Sequence, residues 1–346
     1  MLTLYVKYSL TKYLGNGLKT SDWIVSPKWD LCFFIGSVLF TYLYYGTYKL
    51  LLYLPEDNFL HIHAALLVTL VFYSFFDHPH IFQTFSRTHA DSQEFSRRRS
   101  LYTYGILLFI VAGYCIKGFH FEHEFEFFIN VYGIWHILRQ NSGFLKLYKK
   151  RSKEHSPTDK VCDFGLLYGS VFLFLAIRLS DQNRPLLEWI PPLPCNPDHF
   201  RKLFGAILII YGLRQFYLFK RGQTHIPKLL FLLAIISTYY FTYVISDPPF
   251  GLLVVLETLY HDIQYQGWII HFQQQRFELN RWRLWLISSL LYGVTFGALL
   301  LVSIKYSFTE WLLPPFIMLV LFHYFIDGKI WHFSKSPELK EIYKLN

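Results

Sequence analysis

Apolar and polar positions alternate along this chain on a long wavelength. Runs of mostly apolar residues recur, separated by short polar stretches dense in Lys and Arg. A helix crossing a bilayer needs about 20 such residues, and only helices or closed barrels satisfy their backbone groups inside lipid. The pattern predicts about ten transmembrane helices of that length, near 30–54, 60–80, 101–118, 125–145, 163–180, 203–220, 229–246, 250–271, 284–304 and 311–332. Polar residues interrupt the fourth and the tenth. The fold expected is an all-α, polytopic membrane bundle forming a single transmembrane domain over 1–346, with a short amphipathic segment at 1–29 and a tail at 333–346.

Charge orients the bundle. The connections that fall on one side hold Arg97, Arg98, Arg99, Lys146, Lys149, Lys150 and Arg151, while the opposite side is poor in cations. Cytoplasmic loops carry the excess of Lys and Arg, so both termini and the tail at 333–346 are expected on the cytoplasmic side, in a bacterial inner membrane. Composition agrees: 53% of residues are hydrophobic and 16% charged, against about 25% charged in soluble domains. The net charge of +9 is accounted for by these loops and does not call for nucleic acid. The four cysteines show no CxxC spacing, so neither a zinc knuckle nor a disulfide framework is expected. No cleavable signal pattern opens the chain, and the first span is expected to insert uncleaved. GxGxxG, Walker A, HExxH and GxSxG motifs are absent, which argues against nucleotide-dependent, zincin and serine hydrolase chemistry.

Against this background the 15 histidines stand out. His61, His63, His120, His123 and His199 fall at the outer side, and His155 and His225 in solvated loops. The others lie in the membrane's middle or inner side. His136, His261 and His323 each fall 11 or 12 residues into separate spans, about 16–18 Å below the outer edge at the helical rise. Ionisable groups at that depth are expensive and mark function. His78 and His80 flank Pro79, whose kink is expected to turn both imidazoles inward. Glu257 and Asp327 stand four residues from His261 and His323, on shared helix faces, and Gln264 and Tyr265 continue the face of His261. His89, His271 and His332 form a deeper tier.

Imidazole with carboxylate and no thiolate suits iron, mono- or dinuclear, and permits zinc, manganese or copper. The expected ligands are His78, His80, His136, His261 and His323 with Asp327 or Glu257, and His89, His271 and His332 as further candidates. Tyr265 and Gln264 are placed to orient bound oxygen. Arg87 and Arg139, just inside the membrane, are placed to meet an anionic headgroup or substrate, with snorkelling at the lipid interface as the plain alternative. A proton or metal transporter, a haem-binding electron carrier and a zinc hydrolase with Glu257 as base remain open on these residues. The apolar outer halves GLLVVL and WLLPPFIML argue against an open path.

In ligand type and placement, these imidazoles near the inner ends of membrane helices resemble the membrane-bound, histidine-rich non-haem iron oxygenases: desaturases, hydroxylases and alkane monooxygenases. The likeness lies in placement; their tight HxxxH and HxxHH boxes are absent, and only HPH (His78, His80) is tight. The segments DHPHIFQTFSRTHAD, YHDIQYQGWIIHF and HYFIDGKIWHF are also similar to an uncharacterised bacterial multi-span family. The first resemblance implies O2-dependent attack on a lipid-like substrate and electrons from a separate cytoplasmic donor.

Overall fold

A computed structural model describes residues 22–153, 156–182, 191–277 and 281–344. Most of the 1–29 segment and His155 lie outside the described residues, as do the last two of the tail. The described chain is helical, without a strand. The helices are α1 (Pro27–Ile35), α2 (Val38–Leu51), α3 (Ala64–Thr88), α4 (Leu101–Gly118), α5 (Glu122–Arg151), α6 (Pro157–Leu179), α7 (Pro197–Lys220), α8 (Ile226–Ile245), α9 (Phe250–Arg276), α10 (Arg281–Lys305), α11 (Ser307–Ile330) and the short α12 (Pro337–Ile342).

Seven helices, α3, α4, α6, α7, α8, α10 and α11, are long and apolar enough to cross a membrane, and α1 with α2 forms one more when its 41° bend is allowed. Their surfaces agree with that reading. On α7, Leu208, Ile209, Ile210, Leu213 and Phe216 are exposed, an apolar face that water would not tolerate and lipid would. The expected spans at 125–145 and 250–271 form helices, but neither is apolar enough to be counted among the seven. The reason is chemical. α5 opens on EHEFEF, and α9 carries Glu257, His261, Asp262, Gln264 and Gln266 among its apolar residues. At 30 and 27 residues they would reach about 45 and 40 Å, longer than a hydrocarbon core.

By its contacts the chain divides into two compact units, Met1–Tyr42 with Leu138–Glu257, and Leu43–Ile137 with Thr258–Asn346; the partition falls within α2, α5 and α9. In the first unit Asp30 is fully buried and accepts from the backbone N–H of Ile24 (2.7 Å) and Val25 (3.0 Å) and from the Tyr148 hydroxyl (3.0 Å). Lys149 and Lys228 both reach Asp163 Oδ2, at 2.5 and 3.1 Å, and Tyr211 donates to its other oxygen. Arg214 pairs with Asp159 at 2.6 Å.

The second unit is shaped by a break in α3. Residues Ala64–Phe72 are α-helical, Tyr73–Asp77 widen into a π-turn, and His78–Thr88 resume the α-helix with Pro79 in the first turn. A proline there lacks the N–H that the preceding turn would otherwise bond, and the π-turn absorbs its ring. Gly293 and Gly297 of α10, spaced GxxxG, let this irregular stretch come close. A Cβ on Gly293 would lie 2.7 Å from Pro79 Cδ and, on Gly297, would run into the Ser74 hydroxyl. Small-xxx-small spacing serves close helix approach in membranes. α4 packs on α11 through Gly113 against Met318 and through Tyr102, Phe322, Ile326 and Ile330.

Candidate metal centre

Within the second unit four helices each contribute one imidazole to a common interior: His80 from α3, His136 from α5, His261 from α9 and His323 from α11. All four are buried. Their rings form a closed circuit, with centroids 5.3 Å apart for His80 and His261, 5.1 Å for His261 and His136, 5.0 Å for His136 and His323, and 4.8 Å for His323 and His80. Imidazoles bound tetrahedrally at a metal–nitrogen distance of about 2.0–2.1 Å place neighbouring ring centroids about 5 Å apart. Neighbouring rings therefore stand at the spacing of imidazoles around one metal, and the ligand atoms themselves come together in threes. One nitrogen each of His80, His261 and His323 lies within 4.8 Å of the other two, and so do single atoms of His136, His323 and Asp327.

The hydrogen bonds around the ring have a direction. Tyr265 donates to Asp327 Oδ1 at 3.2 Å. A hydroxyl carries one hydrogen, so Tyr265 can only accept from Thr84, whose Oγ1 is 2.9 Å away. Thr84, its own hydrogen used, can only accept from His323 Nδ1 at 2.6 Å. With Asp327 as the terminal acceptor, His323 carries its proton on Nδ1 and turns an Nε2 lone pair toward His80 Nε2, 3.2 Å off. On its other side His80 Nδ1 stands 3.0 Å from Asp262 Oδ1.

Neither neutral form of His80 suits this environment. With the proton on Nδ1, two Nε2 lone pairs face each other at 3.2 Å. With the proton on Nε2, an Nδ1 lone pair lies 3.0 Å from the Asp262 carboxylate. A cation at the centre, whether a metal ion or a second proton on His80, relieves both, as does a proton on the Asp262 carboxylate with the His80 proton on Nε2. The 3.2 Å spacing is close to the edge of about 3.3 Å expected between two nitrogens bound tetrahedrally to one metal. An acceptor on the remote ring nitrogen usually fixes a metal-binding histidine's tautomer, and Thr84 takes that place at His323. His136 Nε2 is buried and has no hydrogen-bond partner among the described residues, and its ring stacks on Tyr324 at 4.3 Å.

The expected ligand set is thus brought together in part. His80, His136, His261, His323 and Asp327 converge, with Tyr265 beside them. His78 does not join. Its ring stacks on Phe296 with centroids 3.6 Å apart, faces Tyr292, and sets Nδ1 3.0 Å from Asp77. Positions i and i+2 lie on nearly opposite sides of a helix, and the π-turn ends before His78, so Pro79 does not swing the two imidazoles together. Glu257 belongs to the first unit, where Tyr243 donates to it at 2.6 Å. His271 is half-buried against Tyr343, His89 rests on Thr88, Phe95 and Tyr102, and His332 is exposed. His225, expected in a solvated loop, is buried instead and caps α8 through Lys228 N–H. Gln264 is buried on α9. Arg139 is exposed. Arg87 is buried and tied to Asp91 (2.8 Å) and Glu338 of α12 (3.2 Å), which makes it a brace between α3 and the C-terminal helix. Asp262 and Thr84 were not singled out from sequence. Thr84 follows His80 by one turn, and that i, i+4 spacing was the available signal; Asp262 directly follows His261, and adjacent positions on a helix face different ways.

A search of family models, curated proteins and solved structures returned no match for this chain.

Proposed function

We propose that the protein is a membrane-embedded metalloenzyme, with a non-haem iron centre held by His80, His136, His261 and His323, and Asp327 as a further or exchanging ligand. The observation that carries this reading is the frustration of His80: among four converging imidazoles, no neutral tautomer satisfies both His323 and an ionised Asp262. Nitrogen and carboxylate donors without thiolate suit iron and admit zinc, manganese or copper. Iron would supply O2 activation there, and the chain's own residues would do the rest. Thr84 and Tyr265 carry a proton between Asp327 and His323, the apolar walls exclude water, and the lipid-facing helices admit a lipophilic substrate from the bilayer. Electrons come from a separate cytoplasmic donor. In this reading α5 and α9 also span, which makes about ten spans with both termini cytoplasmic in a bacterial inner membrane.

A second reading has one observation in its favour. A doubly protonated His80 also relieves the frustration, which would make the ring a proton site of a transporter. Elemental analysis of the detergent-purified protein separates the two. The enzyme reading expects one or more iron ions per chain without a Soret band, lost in His261→Ala and retained in His199→Ala, a surface control. A folded, metal-free protein that binds no added transition metal rejects it in favour of the proton site, and stoichiometric zinc moves the reading to a hydrolase.

A further inference from the structure

Asp262 accepts no aligned hydrogen bond among the described residues. It is fully buried, at 0% exposure. Its Oδ1 is 3.0 Å from His80 Nδ1, yet that nitrogen has no aligned hydrogen bond either. The oxygen stands at hydrogen-bond distance but off the axis of the ring N–H. Asp77 is also buried, and one atom each of Asp77, His80 and Asp262 lie within 4.8 Å of one another. No Lys or Arg pairs with either carboxylate among the described residues; the contacts are His78 on Asp77 and His80 on Asp262. A buried carboxylate without donors is costly unless a cation accompanies it. Two ligands of one metal lie off each other's axes, separated by an edge of about 2.9–3.3 Å for bonds of 2.0–2.2 Å, and the 3.0 Å spacing fits that edge.

We propose that Asp77, Asp262 and His80 Nδ1 hold a second divalent cation, and that the His80 imidazole bridges it to the metal in the histidine ring. This rests on the metal reading of that ring. The donor sets differ, so the sites select differently. Four imidazoles favour iron, copper or zinc, whereas two carboxylates and one nitrogen favour an oxygen-preferring ion such as Mn2+ or Fe2+. His80 is the only residue common to the triads His80–His261–His323 and Asp77–His80–Asp262.

The test is a count. Metal-stripped, detergent-purified protein is dialysed against Co2+ and its bound cobalt is measured by elemental analysis. Wild type is expected to hold two ions per chain, and Asp262→Asn one, with the ion in the ring retained and the variant monodisperse. Asp77→Asn is the second variant, expected to lose the same ion. One ion in wild type, or two retained in both variants, overturns the second site and leaves the ring standing. No ion in wild type removes the ring reading and this proposal together.

Discussion

The two units each bury a polar cluster, and the clusters are opposites. In the first unit, donors outnumber acceptors around Asp163. Two ammonium groups share one oxygen and a tyrosine hydroxyl takes the other. That arrangement closes on itself as a structural ion-pair network. In the second unit, acceptors converge. Imidazole lone pairs and carboxylates point at one another around His80, with a threonine and a tyrosine fixing their direction. Burial of polar groups alone is common to both and does not mark a site. What distinguishes them is whether the charges and hydrogens balance without an added ion.

The comparison breaks first at the partners. Asp163→Ala should leave Lys149 and Lys228 buried without their carboxylate, and such losses cost about 3–5 kcal/mol. The expected result is a large drop in thermal stability in detergent with bound metal unchanged. His323→Ala should do the reverse, losing the metal while the stripped protein melts close to stripped wild type. If both variants lose stability and neither loses metal, the contrast between the clusters is wrong.

A smaller effect is expected from Thr84→Val, which keeps the shape and removes the link that sets the His323 tautomer. Outer partners of metal-bound histidines are worth about 10–100-fold in metal affinity, and competition with a chelator would read that loss. An unchanged affinity would mean that the Asp327–Tyr265–Thr84 relay does not orient His323. Gly293→Ala tests the frame, because its Cβ would meet the Ser74 carbonyl and the Pro79 ring. Overpacking of this kind costs about 1–3 kcal/mol. The melting temperature should fall and metal occupancy should fall with it, since His80 is next to Pro79.

The smallest effect is one of pH. Burial, helped by the nearby Lys228 ammonium, holds His225 down to about 4. A histidine kept neutral in the fold but free to protonate when unfolded near its ordinary value of 6.5 destabilises the fold as pH falls between those two values. His225→Asn retains the capping acceptor that His225 offers to Lys228 N–H and removes the titration. Melting curves of the variant should be flatter than wild type from about pH 6.5 down to 4. Parallel curves would show that His225 does not contribute.

Much of the frame was legible in the sequence, and its failures have physical causes. Run length located the helices, since lipid demands long apolar stretches. The depth of His136, His261 and His323 followed from a constant helical rise, and those residues do converge. At α5 and α9 run length predicted spans, and their polar residues leave both outside the seven helices apolar enough to cross a membrane. His78 was misplaced because a proline was credited with a reorientation that the preceding π-turn absorbs. Asp262 was invisible because its partner, His80, is distant in sequence, and only the packing of α3 against α9 in the second unit puts the two at 3.0 Å.

The most direct test of the histidine ring is X-ray absorption at the edge of the metal bound to purified protein. A first shell dominated by nitrogen at about 2.0–2.1 Å, with the multiple scattering of several imidazoles, is the predicted result. A shell of sulfur, or of oxygen without imidazole scattering, would contradict it.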